Sequence, residues 1–364
     1  MPPALSPSAP SVVIALGGSG GRPAPLEQFL ATLPQQAHAA VVIVLQHREA
    51  LDDERFAGAV SAAGRELTSV SDGMEAAAGQ TYLAPPNMIV TLEEGRFQLR
   101  PSSREPGERG TIDSFLVSLA AQPDIRSIVV MFGQLGGDGT LGVGSIKEGD
   151  GLVLAERTGP EQGVDLAASN SPAALADAIL PVEELAERVA AYAAMDATDD
   201  ISRKPLDPAE HEEALTAIVA VLRNSTGHDF HGYKTGTFLR RVQRRMQVVD
   251  AATIDVYVEV LRGSDAEPMN LFNDLLIGVT SFFRDKREFD VLESQVIPKL
   301  FEGKTRNDHL RVWIIGCSTG EEAYSIAILL REHMSKLAEV PHVQIFASDL
   351  DGRALASARV GRYK

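Results

Sequence analysis

Three short β-rich runs constrain this chain most: VVIAL at 12–16, VVIVL at 41–45 and SIVVMF at 127–132. A strand with water on one face alternates apolar and polar residues. These runs do not alternate, so both of their faces need cover, as in a parallel sheet with helices on each side. Ala- and Leu-rich stretches between them supply those helices, and the alternation over 11–192 predicts a doubly wound parallel-sheet α/β domain. In such a domain, ligands bind beyond the carboxyl ends of the strands.

Other segments follow different rules. Residues 1–10, MPPALSPSAP, lack both a basic stretch and an apolar core, so they predict a disordered tail rather than a secretory signal. The acidic, proline-containing segment 193–209 predicts a linker. Residues 210–285 have a helical pattern without a strong strand-like run, predicting a small all-α domain. In 286–364, LRVWIIGC (310–317) and HVQIFASD (342–349) flank an Ala/Ile/Leu-rich helix, which predicts a βαβ unit and the first part of a Rossmann-like domain.

Composition narrows the function classes. With 364 residues, 44% of them hydrophobic and 23% charged, the chain can bury more than one core. No apolar run approaches the roughly 20 residues of a membrane-spanning helix, so no direct membrane insertion is expected. The single cysteine, Cys317, fits a reducing cytoplasm, and a cytoplasmic location is expected. A net charge of −16 argues against nucleic acid as a partner. The charge is uneven, however. Six Lys or Arg residues and one acid lie between Arg223 and Met246.

Ser19 lies in GGSGG after the first run, His47 follows the second, and Asp138 sits in GGDGT after the third. All three therefore fall at one sheet edge. A serine hydroxyl becomes a nucleophile when a neutral imidazole takes its proton and a carboxylate holds that imidazole in the right tautomer. The flanking glycines allow a tight turn with backbone N–H groups free for an oxyanion. A glycine-rich loop after a first strand more often cradles phosphate, although GxGxxG spacing is missing here. A histidine after a strand is usually a loop or core residue, and Gly-Gly-Asp-Gly is usually a turn. Spacing alone leaves these readings open.

In the second half, TGTFLRRVQRRMQ (235–247) puts Arg240, Arg241, Arg244 and Arg245 on one stripe of a helix. Most such runs are solvated faces. Four arginines without an intervening acid would suit an acidic helix as partner. GCSTGEE (316–322) joins a buried strand to a helix, so its backbone can approach a ligand closely. Acids in that loop favour a cationic ligand over a pyrophosphate, and Asp349, ending the next strand, is placed for a ribose diol. Ser318 and Thr319 read equally well as helix caps, with Glu321 and Glu322 in the first turn.

Resemblance goes further. LGGSGGRPAPL, VVIVLQH, TYLAPPN (81–87), TIDSFLVSLA (111–120) and GGDGTLGVGSIKEGDG (136–151) resemble the chemotaxis receptor methylesterase (CheB-type) domain over 11–192. That resemblance implies hydrolysis of receptor glutamyl methyl esters by Ser19, His47 and Asp138. STGHDFHGYK (225–234), TFLRRVQRRM, LLIGVTSFFRD (275–285), GCSTGEEAYSIAILL and FASDLDGRALASARVGRY (346–363) resemble the chemotaxis receptor methyltransferase (CheR-type) family. This implies S-adenosyl-L-methionine as cofactor, touched by Thr280, Arg284, Gly316, Ser318, Gly320, Glu321 and Asp349. It also implies methyl-accepting chemoreceptor cytoplasmic helices, or a similar acidic helical protein, as partner of the four arginines. No metal is implied. The family continues beyond its Gly-Arg-Tyr motif, so the methyltransferase domain is expected to be partial. The rival expectations are a non-catalytic receptor-binding module and a nucleotide-binding α/β protein.

Overall fold

The computed structural model describes residues 9–19, 23–34, 38–46, 52–102, 110–133, 138–157, 172–194, 211–276, 278, 280–361 and 363. The chain divides into two compact units, Met1–Leu275 and Leu276–Lys364.

The first unit is built on a seven-stranded sheet. In chain order its elements are β1 (Val12–Ser19), α1 (Pro23–Thr32), β2 (Ala39–Gln46), α2 (Asp52–Ala62), β3 (Leu67–Ser69), β4 (Thr81–Leu83), β5 (Met88–Glu93), β6 (Arg96–Pro101), α3 (Thr111–Ala120), β7 (Arg126–Met131), α4 (Thr140–Glu148), β8 (Leu152–Glu156), β9 (Ala178–Leu180) and α5 (Val182–Ala194). The sheet order is β3-β4-β2-β1-β7-β8-β9, and every pairing in it is parallel. β5 and β6 form a separate antiparallel hairpin.

The apolar runs are buried on both faces, as expected. Ile14, Leu16, Val41, Ile43, Ile128 and Val130 pack on one side against Phe29 and Leu30 of α1, Phe56 of α2 and Leu185 and Val189 of α5. Their neighbours Val13, Ala15, Val42, Val44, Val129 and Met131 pack on the other against Phe115 and Leu116 of α3, Val143 and Ile146 of α4, and the hairpin residues Val90 and Phe97. Each fully buried side chain of this size contributes about 1.5–3 kcal/mol of transfer free energy. β1 lies in the middle of the sheet, with the chain proceeding to β2 on one side and to β7 on the other. The carboxyl end of β1 is therefore the topological switch point, the place where ligands bind in sheets of this kind.

Four helices complete the first unit: α6 (Glu212–Thr226), α7 (Thr235–Val248), α8 (Ile254–Gly263) and α9 (Glu267–Leu275). Gly227 ends α6 in a left-handed conformation, and Thr253 caps α8 by accepting the N–H of Val256. Val248 of α7 joins the core cluster that contains α5, and the Tyr192 hydroxyl of α5 donates to Gln247 Oε1 at 2.9 Å.

The second unit contains α10 (Lys286–Val291), a π-helical turn at Leu292–Val296, α11 (Ile297–Phe301), β10 (His309–Ile315), α12 (Glu321–Met334), β11 (His342–Ser348) and α13 (Gly352–Val360). β10 and β11 are parallel, in the register His309↔His342 to Ile315↔Ser348. Leu310, Leu329, Leu330, Ile297 and Phe301 form the buried cluster of this unit. The opposite sheet face carries Trp313, Ile315 and Phe346, exposed by 67%, 73% and 52%. Among the described residues, no helix is long and apolar enough to cross a membrane.

Candidate functional site

The register places Ser19, the last residue of β1, beside Gln46, the last residue of β2. His47 follows Gln46 directly and lies outside the described residues, as do Gly20 and Gly21 of the serine loop. Asp138 enters the same edge from beyond β7 and is only 7% exposed. A carboxylate that buried requires donors. Gln46 Nε2 donates to Asp138 Oδ2 at 2.6 Å, while the backbone N–H groups of Asp113 and Ile112 reach its oxygens at 2.9 and 3.4 Å. The strand end that precedes His47 is thus tied directly to the carboxylate expected to orient that histidine.

Two glycines make room for this arrangement. A Cβ on Gly110, at the start of α3, would lie 2.1 Å from Asp138 Oδ1. Gly139, directly after the carboxylate, has φ of +94°, which side-chain-bearing residues rarely adopt. Glu156 at the end of β8 accepts the Gly133 N–H at 2.9 Å, fixing backbone just beyond β7. Sequence reasoning missed Gln46, Gly110 and Asp113. Their available signals were the Gln-His pair and a glycine followed by an acid in a helical first turn.

In the second unit, the loop from β10 to α12 contains three positive-φ residues: Gly316 at 74°, Ser318 at 47° and Gly320 at 100°. Asp349 braces this loop. Its Oδ2 accepts the Ser318 N–H at 2.7 Å and its Oδ1 the Asp351 N–H at 2.8 Å. The Ser318 hydroxyl donates to the Gly278 carbonyl at 3.0 Å, and the Thr319 hydroxyl donates to Glu321 Oε2 at 2.5 Å. The Tyr363 hydroxyl donates to the Thr319 carbonyl at 2.7 Å, with the rings of Phe282 and Tyr324 packed around it. Burial, followed by the negative charge of Glu321, pushes the Tyr363 hydroxyl up to about 12. A negative field at this loop suits a sulfonium and an ammonium, and nothing lies within 4 Å of where a Cβ on Gly316 would be. The residues therefore fit S-adenosylmethionine. Thr280 is half-buried and Arg284 exposed, both in the segment leading to α10.

The arginine stripe is the main correction. Arg241, Arg244 and Arg245 are each 2% exposed rather than lining an open face. Arg241 donates to the Lys147 carbonyl at 2.7 Å and to Asp150 Oδ1 at 3.0 Å. Arg244 pairs with Asp177 and Asp274, and Arg245 grips both oxygens of Glu267 at 2.9 and 2.6 Å. Lys147 adds contacts to Asp177 and Asp274 at 3.2 and 2.8 Å. The reason is electrostatic: Asp150, Asp177, Asp274 and Glu267 balance these four cations, and two of the acids come from the sheet domain. Arg240 alone keeps a half-exposed side chain, 3.5 Å from Asp150.

Three segments of the chain match known protein families. Residues 14–189 match the CheB methylesterase family, residues 213–276 the all-alpha domain of CheR methyltransferase, and residues 278–364 its SAM binding domain. A Rhodobacter capsulatus protein described as an uncharacterized 104.1 kDa protein in the hypE 3'region is 33% identical over 315 residues, covering 81% of this chain and 33% of that one. A Listeria innocua chemotaxis protein methyltransferase is 35% identical over 154 residues, covering 42% of this chain and 56% of that one. The Thermotoga maritima CheB methylesterase catalytic domain superposes with a TM-score of 0.41 at 21% identity, over 50% of this chain and 97% of that one. The chain thus spans one third to about half of the length of these sequence relatives.

The charge cluster has a measurable consequence. Burial alone would raise the Asp177 carboxyl, but Arg244 and then Lys147 overcome it and hold it well below the usual range. A depressed folded-state value stabilises the protein above the unfolded-state value, near 3.9, and that stabilisation drains away as pH falls below it. Asp177→Asn should cost about 3–5 kcal/mol at neutral pH, because the cations around it stay buried. Urea unfolding at pH 7 and below pH 4 checks this: the gap between wild type and variant should narrow in acid. A loss under about 1 kcal/mol would contradict it.

Proposed function

We propose that this chain, which carries a CheB methylesterase domain joined to the all-alpha and SAM-binding domains of a CheR methyltransferase, both removes and adds methyl groups on receptor glutamates. The observation carrying the first activity is the tie between Gln46 and Asp138 at the strand edge that ends in Ser19. Ser19 Oγ attacks the ester carbonyl carbon while His47 takes its proton, with Asp138 holding the imidazole. The tetrahedral intermediate then collapses, and His47 returns the proton to the departing methoxide, which leaves as methanol. Water, deprotonated by His47, cleaves the acyl-serine and frees the glutamate. The buried setting of Asp138 keeps these dipoles fixed, which is where such sites gain most of their rate.

For methylation, bound S-adenosylmethionine would supply an electrophilic methyl group to a glutamate carboxylate oxygen, the carbon–sulfur bond breaking as S-adenosylhomocysteine leaves. Glu321 and Asp349 form the acidic rim that favours a cationic ligand, and Gly316 and Gly320 let the backbone approach it. Orientation is the main contribution expected from the protein in such a transfer. The substrate we envisage is a glutamate-bearing chemoreceptor helix on the cytoplasmic side of the membrane. Such a helix would meet Arg240 rather than a four-arginine stripe, because the other three guanidinium groups are buried.

Methanol release from a carboxyl-methylated receptor fragment tests the esterase. Ser19→Ala should lower the rate by at least about a thousandfold, and an unchanged rate would refute the assignment. Calorimetric titration with S-adenosylhomocysteine tests the second site. Asp349→Ala should weaken binding at least about tenfold, since the Ser318 turn loses its brace. Tight binding of ATP or NAD in its place would favour a nucleotide-binding protein.

A further inference from the structure

α3 and α4 exchange carboxylates at their first turns. A helix N-terminus leaves backbone N–H groups without intrahelical partners, and a side chain on the residue before the helix usually accepts from them. Here both of those residues are glycines, Gly110 and Gly139, with no side chain to do so. Asp138, preceding α4, accepts the N–H groups of Ile112 and Asp113 at the start of α3. Asp113, in the first turn of α3, accepts the N–H of Gly142 in the first turn of α4 at 2.8 Å. Each acid thus caps the other's helix.

The exchange is tight. A Cβ on Gly142 would lie 2.5 Å from Leu116 Cβ, so the two helices meet without a side chain between them. It also carries an electrostatic penalty. Burial, opposed by the Gly142 N–H and then reinforced by the charge of Asp138, pushes the Asp113 carboxyl up to about 6.

We infer that Asp113 is a positioning residue for ester hydrolysis: by capping α4 it fixes the backbone that carries Asp138, while Asp138 caps α3 in return. The inference rests on the reading of Asp138 as the triad carboxylate. In this role Asp113 acts through Gly142 and Asp138 and takes no part in the proton transfers.

The test uses the full chain and a synthetic peptide bearing a glutamyl methyl ester, with methanol release followed over a range of peptide concentrations. Asp113→Ala should lower kcat by between about tenfold and a hundredfold, as a small displacement of a catalytic group does. KM should stay within about twofold, because no substrate contact is removed. Asp113→Asn keeps an oxygen that can accept from Gly142 and should recover most of kcat. A wild-type kcat in Asp113→Ala, or an effect confined to KM, overturns the inference. Failure of the Asn variant to recover activity also overturns it. Should the Ala variant not fold, Asp113→Ser, whose hydroxyl is too short to reach Gly142, takes its place with the same expectations. Ser19→Ala and Asp138→Ala run alongside. If both are inactive while Asp113→Ala matches wild type, the positioning role alone falls. If both turn over at the wild-type rate, the esterase reading fails, and the inference with it.

Discussion

Asp138 is a charged group placed where water scarcely reaches, and much of the first unit is arranged around that fact. An unpartnered carboxylate at 7% exposure would be too costly to keep. Its donors come from β2 through Gln46 and from α3 through two backbone N–H groups. Satisfying it therefore locks the end of β2, the start of α3 and the start of α4 together. The glycines at 110 and 139 follow from the same requirement, one by making space and the other by allowing the turn. A site assembled this way is held before any substrate arrives, the condition under which fixed dipoles act on a transition state.

The second organising interaction joins the helical segment to the sheet domain. Buried cations and anions tolerate one another only when each is paired, and breaking one pair strands the rest. Arg241, Arg244 and Arg245 meet that condition with acids from α9 and from the sheet domain, while Lys147 of α4 closes the cluster. Arg241 also donates to carbonyls at the carboxyl end of α4, the end a cation favours. α4 therefore runs from the candidate ester-cleaving edge to the charge cluster. The helical segment belongs with the first compact unit, and the second unit begins at Leu276, ahead of the 286 boundary anticipated from the sequence.

The legibility of these features differs for physical reasons. The unalternating runs at 12–16, 41–45 and 127–132 pointed to the parallel sheet, because short, Val- and Ile-rich apolar runs separated by helical stretches suit strands buried on both faces. From that sheet the shared edge of Ser19 and Asp138 followed, since carboxyl ends of parallel strands lie together. The glycines and acids of the loop from β10 to α12 marked it as a candidate cofactor loop, although Asp349 bonds to the backbone there, a local role that spacing does not reveal. The arginine stripe misled because a helix displays its charges in sequence without displaying what covers them. Asp150, Asp177 and Asp274 lie far from α7 in the chain. Asp113 was hidden for a related reason: its partner helix begins after an intervening strand, so the exchange of caps has no local signature.

The central claim is that Ser19 is an activated nucleophile at this sheet edge. Treating the full chain with a fluorophosphonate and mapping the adduct by mass spectrometry tests it without any receptor. The account predicts one covalent phosphonyl group on the peptide containing Ser19, absent from Ser19→Ala and strongly reduced in Asp138→Ala. Labelling that persists in Ser19→Ala, or a wild-type chain that takes up no label, would contradict it.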